Sequence, residues 1–98
     1  MAGIRRLRGL KNGPGFPATL EHHGIVPRTP RAISLAQAIG RLRRAERLPI
    51  DGDPLIEFWG AERCWAHSFW SKLWLYYKPE PADDFIVLLS VHDYLDEQ

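Results

Sequence analysis

Near the end of the chain, His92, Asp93 and Tyr94 follow one another in an extended stretch, so His92 and Tyr94 share a face. A histidine and a tyrosine on one face, with a lysine or arginine nearby to hold a phosphate, have the residue types for general acid–base work on a ribose hydroxyl. A polar end to a strand needs no chemistry at all and explains the same spacing. A second grouping is cationic. Arg41, Arg43, Arg44 and Arg47 crowd one helical segment, and Arg5, Arg6, Arg8 and Lys11 precede them. Such a set can contact phosphates, or form a solvated face that pairs with carboxylates elsewhere. A third grouping is aromatic. Ten of the eleven Phe, Trp and Tyr residues lie between Phe58 and Tyr94. Trp59, Trp65, Trp70, Trp74, Tyr76 and Tyr77 exceed what one face of a small sheet buries, and Trp or Tyr beside charges anchors protein interfaces.

Other chemistry is poorly supported. Cys64-x-x-His67 has metal-ligand types, but positions three apart in a strand point to opposite faces. The neighbours His22 and His23 do not readily hold one ion together, and a zinc site needs four converging ligands. No metal and no cofactor is therefore expected. Cys64 is the single cysteine, which excludes an intrachain disulfide and suits a reducing, cytoplasmic setting. As a lone residue it reads best as a small buried hydrophobe. Gly9-Leu-Lys-Asn-Gly13-Pro-Gly15 is glycine-rich but has no Gly-Lys-Ser/Thr, so it is not a phosphate-binding loop. No apolar run is long enough to span a membrane, and the basic start lacks the apolar stretch of a secretory signal.

Ninety-eight residues set the scale of the elements that must position these groups: one domain with a modest core. The net charge of +1 hides a strong polarity. Residues 1–49 carry ten Lys or Arg against Glu21 and Glu46, or +8; residues 50–98 carry three against ten Asp or Glu, or −7. The two halves can attract each other within the fold or face different partners.

Residues 1–28 hold five Gly and three Pro and read mostly as loop, ordered against the rest of the fold or a partner. A short basic helix or strand over Ile4–Leu10 and one or two helical turns from Pro17, closed by Gly24, are compatible with the pattern. The clearest element is a helix from Thr29 to about Leu48, with Thr29 as N-cap and Pro30 in the first turn. Leu35, Ala38, Ile39, Leu42 and Ala45 form its apolar stripe. Gly40 inside it suggests close packing. Alternation then predicts strands over Leu55–Trp59, Cys64–Phe69 and Leu73–Lys78, with a nearly continuous apolar strand, Phe85–Val91, covered on both faces. The segment Lys78–Asp84 reads as a hairpin loop. The expected fold is thus α+β: one long helix packed on a three- to four-stranded antiparallel sheet, after a loop-rich N-terminus.

The run Ser71-Lys72-Leu73-Trp74-Leu75-Tyr76-Tyr77, an acidic loop, and Phe85-Ile86-Val87-Leu88-Leu89-Ser90-Val91-His92-Asp93-Tyr94 resembles the C-terminal half of the RelE/ParE toxin superfamily, over residues 55–95. The resemblance implies terminal catalytic residues at His92 and Tyr94, with Lys72 or Arg63 as phosphate partner. The family opens with a strand before its helices, which this sequence does not signal clearly. It also carries a strand arginine near the place of Trp74, and its ribonucleases are basic around the site, where this half is −7. These departures favour a non-catalytic relative that targets a protein. The leading expectation is a small protein-binding module, an inhibitor or toxin–antitoxin protein of phage or mobile-element character, anti-defence proteins included. It would dock through Trp70, Trp74 and Tyr76 or through Arg43, Arg44 and Arg47. The alternatives are a RelE-like endoribonuclease and a nucleic-acid binder using Arg41, Arg43, Arg44 and Arg47.

Overall fold

The computed structural model describes residues 7–58, 62–80 and 84–93. Strand β1 (Gly9–Asn12) is followed by helices α1 (Phe16–His22) and α2 (Pro30–Arg44), then by strands β2 (Leu55–Phe58), β3 (Glu62–Trp70), β4 (Leu73–Glu80) and β5 (Phe85–His92). The strands form one sheet in the order β1-β5-β4-β3-β2. β2 to β5 make an antiparallel meander, and β1 joins its edge parallel to β5, from Gly9↔Phe85 to Asn12↔Leu88.

This corrects the expected architecture of one long helix on a three- to four-stranded antiparallel sheet. Among the described residues the sheet has five strands and is mixed, and there are two helices, one of them short. The missed strand, Gly9-Leu-Lys-Asn12, has no β-branched residue and every residue exposed, so it lacks the alternation that marks a half-buried strand. α2 also ends at Arg44, short of Leu48, because Ala45 is already extended (ψ 142°). β4 runs on through Lys78-Pro79-Glu80, which pair with Val87, Ile86 and Phe85, so these three residues belong to the ladder and not to the loop.

Both helices pack on one face of the sheet. Phe16 of α1 and Leu35, Ala38 and Leu42 of α2 join Phe69, Leu73, Leu75, Tyr77, Ile86, Leu88 and Val91 in the main core. The opposite face buries Ile56, Cys64, Ala66, Tyr76 and Leu89. β5 feeds both clusters, as expected for a strand covered on both faces. Between Tyr76↔Ser90 and Tyr77↔Leu88 the register jumps, leaving Leu89 as an extra residue, a bulge that lets Leu89 and Ser90 both serve the second face.

Local chemistry fixes the helices. Thr29 caps α2: its hydroxyl accepts from the Ala32 N–H at 3.3 Å and donates to the Val26 carbonyl at 2.6 Å. The other end of α2 is closed from a distance. The Arg8 guanidinium donates to the carbonyls of Leu42 (3.1 Å), Ala45 and Glu46 (3.3 Å), groups that a helix C-terminus leaves without partners. Arg43 returns the contact by donating to the Arg8 carbonyl at 2.7 Å, and the Arg8 N–H donates to the Arg43 carbonyl at 3.2 Å. This clasp ties the start of β1 to the end of α2. α1 ends on Gly24, whose φ of 64° suits the left-handed residue of a helix stop, while Ile25 and Gly24 N–H groups donate back to Leu20 and Glu21. The Thr19 hydroxyl accepts from the Val91 N–H at 3.1 Å and so fixes α1 against β5.

Candidate functional site

The strand and helix ends that meet at one end of the sheet enclose a groove of about 520 Å³. Its wall comes from four places. His22, His23 and Gly24 close α1, Arg31 opens α2, Trp70, Ser71, Lys72 and Leu73 form the β3–β4 turn, and Asp93 follows β5. The Arg31 guanidinium donates to the His23 carbonyl at 2.9 Å, which orients it and joins the two helix ends. Lys72 is exposed and held at φ 64°. For a residue with a Cβ this left-handed conformation costs about 1–2 kcal/mol relative to the right-handed one. The turn joining β3 to β4 thus spends backbone strain on a lysine where glycine would sit easily. The groove combines two cations, Arg31 held by its hydrogen bond and Lys72 exposed, with two imidazoles, one carboxylate and an aromatic side chain.

The residues singled out in sequence are only partly gathered here. Trp70 and Lys72 line the groove with Asp93. His92 does not: its ring stacks on Tyr76, centroids 4.3 Å apart, and its Nε2 lies 2.7 Å from Ser90 Oγ, on the face opposite the helices. Arg63 pairs with Glu57, five residues along β3 from Ser68, whose β4 partner Trp74 pairs with His92. At about 3.3 Å per residue this keeps Arg63 roughly 16 Å away along the strand. Arg63 therefore stands well away from His92, whereas Lys72 is two residues from Trp74, the strand partner of His92. Tyr94, like Arg5, Arg6 and Trp59, lies outside the described residues.

The proposed docking residues also divide. Tyr76 is fully buried (0% exposed) and is a core residue, because the bulge in β5 turns its face inward onto Leu89. Trp74 is half-buried on the same face, and Trp70 is half-buried against the main core. Of the arginines, Arg43 is committed to the Arg8 clasp and Arg41 to His67, while Arg44 and Arg47 stand exposed on the surface. The cationic helix is thus half structural.

Sequence reading missed a buried polar cluster beneath α2. Asp53, in the turn before β2, accepts from His67 Nδ1 (2.9 and 3.1 Å to its two oxygens) and from the Tyr77 hydroxyl (2.7 Å). His67 Nε2 accepts from Arg41 Nε at 3.3 Å, which places the imidazole proton on Nδ1, facing Asp53. The Ile50 N–H completes the set by donating to the Tyr77 oxygen at 3.3 Å. The Asp53 and His67 side chains are only 8% and 11% exposed. Burial, then the hydrogen bond and charge of Asp53, push the Tyr77 phenol far above its ordinary pKa. Every buried polar atom of the cluster has a partner and the cluster lies outside the groove, so it pins residues 50–53 to the sheet. Asp53, His67 and Tyr77 are far apart in sequence, and only the alternation placing His67 and Tyr77 on the helix-side face hinted at the cluster.

Cys64 and His67 lie on opposite faces of β3, and among the described residues no three His, Cys, Asp or Glu side chains are grouped as metal ligands. No helix among the described residues is long and apolar enough to cross a membrane. Against this geometry, comparison with known protein families, with curated proteins and with solved structures gives no match.

Proposed function

We propose that this chain is a small non-catalytic protein-binding module, of the inhibitor or toxin–antitoxin type, that captures an acidic segment of a partner protein in the groove between the helix ends and the β3–β4 turn. The observation that carries this reading is the groove's grouping of Lys72, exposed in a turn at φ 64°, with Arg31 and Trp70; Arg28 (φ 71°) and Asp84 (φ 54°) share that backbone conformation elsewhere in the fold. The groove suits a peptide better than a nucleic-acid strand. Asp93 in its wall can accept hydrogen bonds from backbone N–H groups, donors that a peptide has and a phosphodiester backbone lacks, while half-buried Trp70 offers apolar surface to a side chain. The distance of Arg63 from the Trp74–His92 pair argues against a catalytic centre shared by Arg63 and His92.

A second reading, a RelE/ParE-like protein, draws support from one observation. β1 precedes the two helices and joins the sheet beside the last strand, so the opening strand that the resemblance requires has a counterpart here.

Affinity purification of the tagged chain, with and without nuclease, followed by mass spectrometry separates these readings. Binding of a defined protein that survives nuclease and is lost in Lys72→Ala is expected. Recovery of nucleic acid alone, or toxicity abolished by His92→Ala with a folded product, contradicts the non-catalytic reading.

A further inference from the structure

The groove differs from an ordinary basic patch in having two histidines in its wall. His22 and His23 end α1 with their rings 4.9 Å apart in an edge-to-face contact. The charged groups that share the groove with them are Arg31 from α2, Lys72 from the β3–β4 turn and Asp93 from the end of β5. With both imidazoles neutral these sum to +1, and with both protonated to +3. A histidine changes charge in the range that cells and their compartments span. The carboxylates of an acidic peptide stay ionised there, since Glu and Asp titrate near pH 4.

Resting on the reading of the groove as a site for an acidic protein segment, we infer that His22 and His23 make this capture pH-dependent, so that the groove grips its acidic ligand more tightly as the pH falls from about 8 to about 6. The sign follows from charge alone: each added proton raises the positive charge facing a ligand whose own charge is constant. A unit charge at about 6 Å in a water-like medium changes binding by roughly threefold, so one to two protons give a gain of about three- to tenfold. His22 is exposed and His23 half-buried, so both are open to exchange with solvent. The backbone role of His23, accepting from Arg31, does not depend on its side chain.

The test is fluorescence anisotropy of a fluorescein-labelled poly-glutamate peptide at low salt, at about pH 8 and about pH 6, with wild type, Lys72→Ala and the double variant His22→Asn/His23→Asn. Thermal unfolding establishes that each variant is folded. The expected result is tighter binding at the lower pH for wild type, weaker binding at both values for Lys72→Ala, and no pH gain for the double variant. Equal wild-type affinity at the two pH values, or a gain that survives the double variant, overturns the histidine inference and leaves the groove standing. Failure of wild type to bind the peptide at either pH, or binding indifferent to Lys72→Ala, overturns the groove reading and the inference with it. Displacement of the peptide by a single-stranded oligonucleotide at lower concentration than by unlabelled poly-glutamate overturns the assignment of an acidic peptide as ligand.

Discussion

Lys72→Gly separates stability from binding at a single position. Lys72 sits at φ 64° between Trp70 and Leu73, which pair across the β3–β4 turn. Relief of the left-handed conformation is worth about 1–2 kcal/mol, because glycine has no Cβ to clash. Glycine loses more backbone freedom on folding, which takes back about 0.5–1 kcal/mol. The side chain is exposed and makes no hydrogen bond or ion pair with the described residues, so little packing is lost. The net expectation is a gain of about 0.5–1 kcal/mol, or a rise in the unfolding midpoint of roughly 2–8 °C for a domain of this size. Binding moves the other way. Loss of a unit charge about 5–6 Å from a ligand carboxylate weakens capture by about three- to fourfold in a water-like medium. Thermal unfolding by circular dichroism reads the first quantity and peptide anisotropy the second. A variant that unfolds at lower temperature than wild type, or binds equally well, refutes the view that the turn carries strain for the sake of its lysine.

Four further outcomes follow from contacts within the fold. Arg8→Ala removes three bonds from a cation to the carbonyls ending α2 and is expected to destabilise by about 2–3 kcal/mol in urea unfolding, whereas Arg47→Ala, on an exposed residue, stays within about 0.5 kcal/mol. Asp53→Ala leaves the Tyr77 hydroxyl and His67 Nδ1 buried without their acceptor, a loss of about 3–5 kcal/mol by the same assay; a cost below about 1 kcal/mol means that the cluster does not hold the fold together. The raised pKa of Tyr77 makes its contribution to stability fully present below the ordinary tyrosine value near pH 10 and lost as the pH climbs beyond it. The unfolding free energy of wild type should therefore fall above about pH 10 more steeply than that of Tyr77→Phe, by up to about 1.4 kcal/mol per pH unit. Gly40→Ala should stabilise by about 0.5–1 kcal/mol, because the added Cβ meets only the mobile guanidinium of Arg44, at 3.0 Å, and a loss of stability in thermal unfolding contradicts that.

The legible parts of this chain are those where local pattern and tertiary environment agree. Thr29-Pro30 announces the start of α2, and the burial of Leu35, Ala38 and Leu42 follows its apolar stripe. The four strands of the meander alternate or run apolar as their burial requires. β1 escaped because a four-residue exposed strand takes its identity from its neighbour: Gly9–Asn12 is extended where it pairs with β5. The Asp53 cluster and the Arg8 clasp escaped for a related reason. Each joins residues well separated in sequence, and nothing in the spacing of Arg8 and Leu42, 34 positions apart, marks one as the other's cap. Gly40 suggested a close helix contact, yet its neighbour is a flexible arginine of the same helix. Of the site, the types of Trp70 and Lys72 were readable; their union with His22, His23 and Arg31 required the topology.

The parallel pairing of β1 also shapes how the protein is born. Gly9 must find Phe85, so during synthesis β1 leaves the ribosome long before its sheet partner β5 exists. Closing so long a loop late is slow, and a solitary extended segment is exposed to wrong pairings meanwhile. The Arg8 clasp offers an interim station: its partners Leu42 to Glu46 emerge about half a chain earlier, and α2 can hold β1 alongside the growing meander until β5 slots in between β1 and β4. On this view the last strand completes the sheet as a central insertion, and nascent chains stalled before residue 85 should show α2 protected from hydrogen exchange while β1 is not.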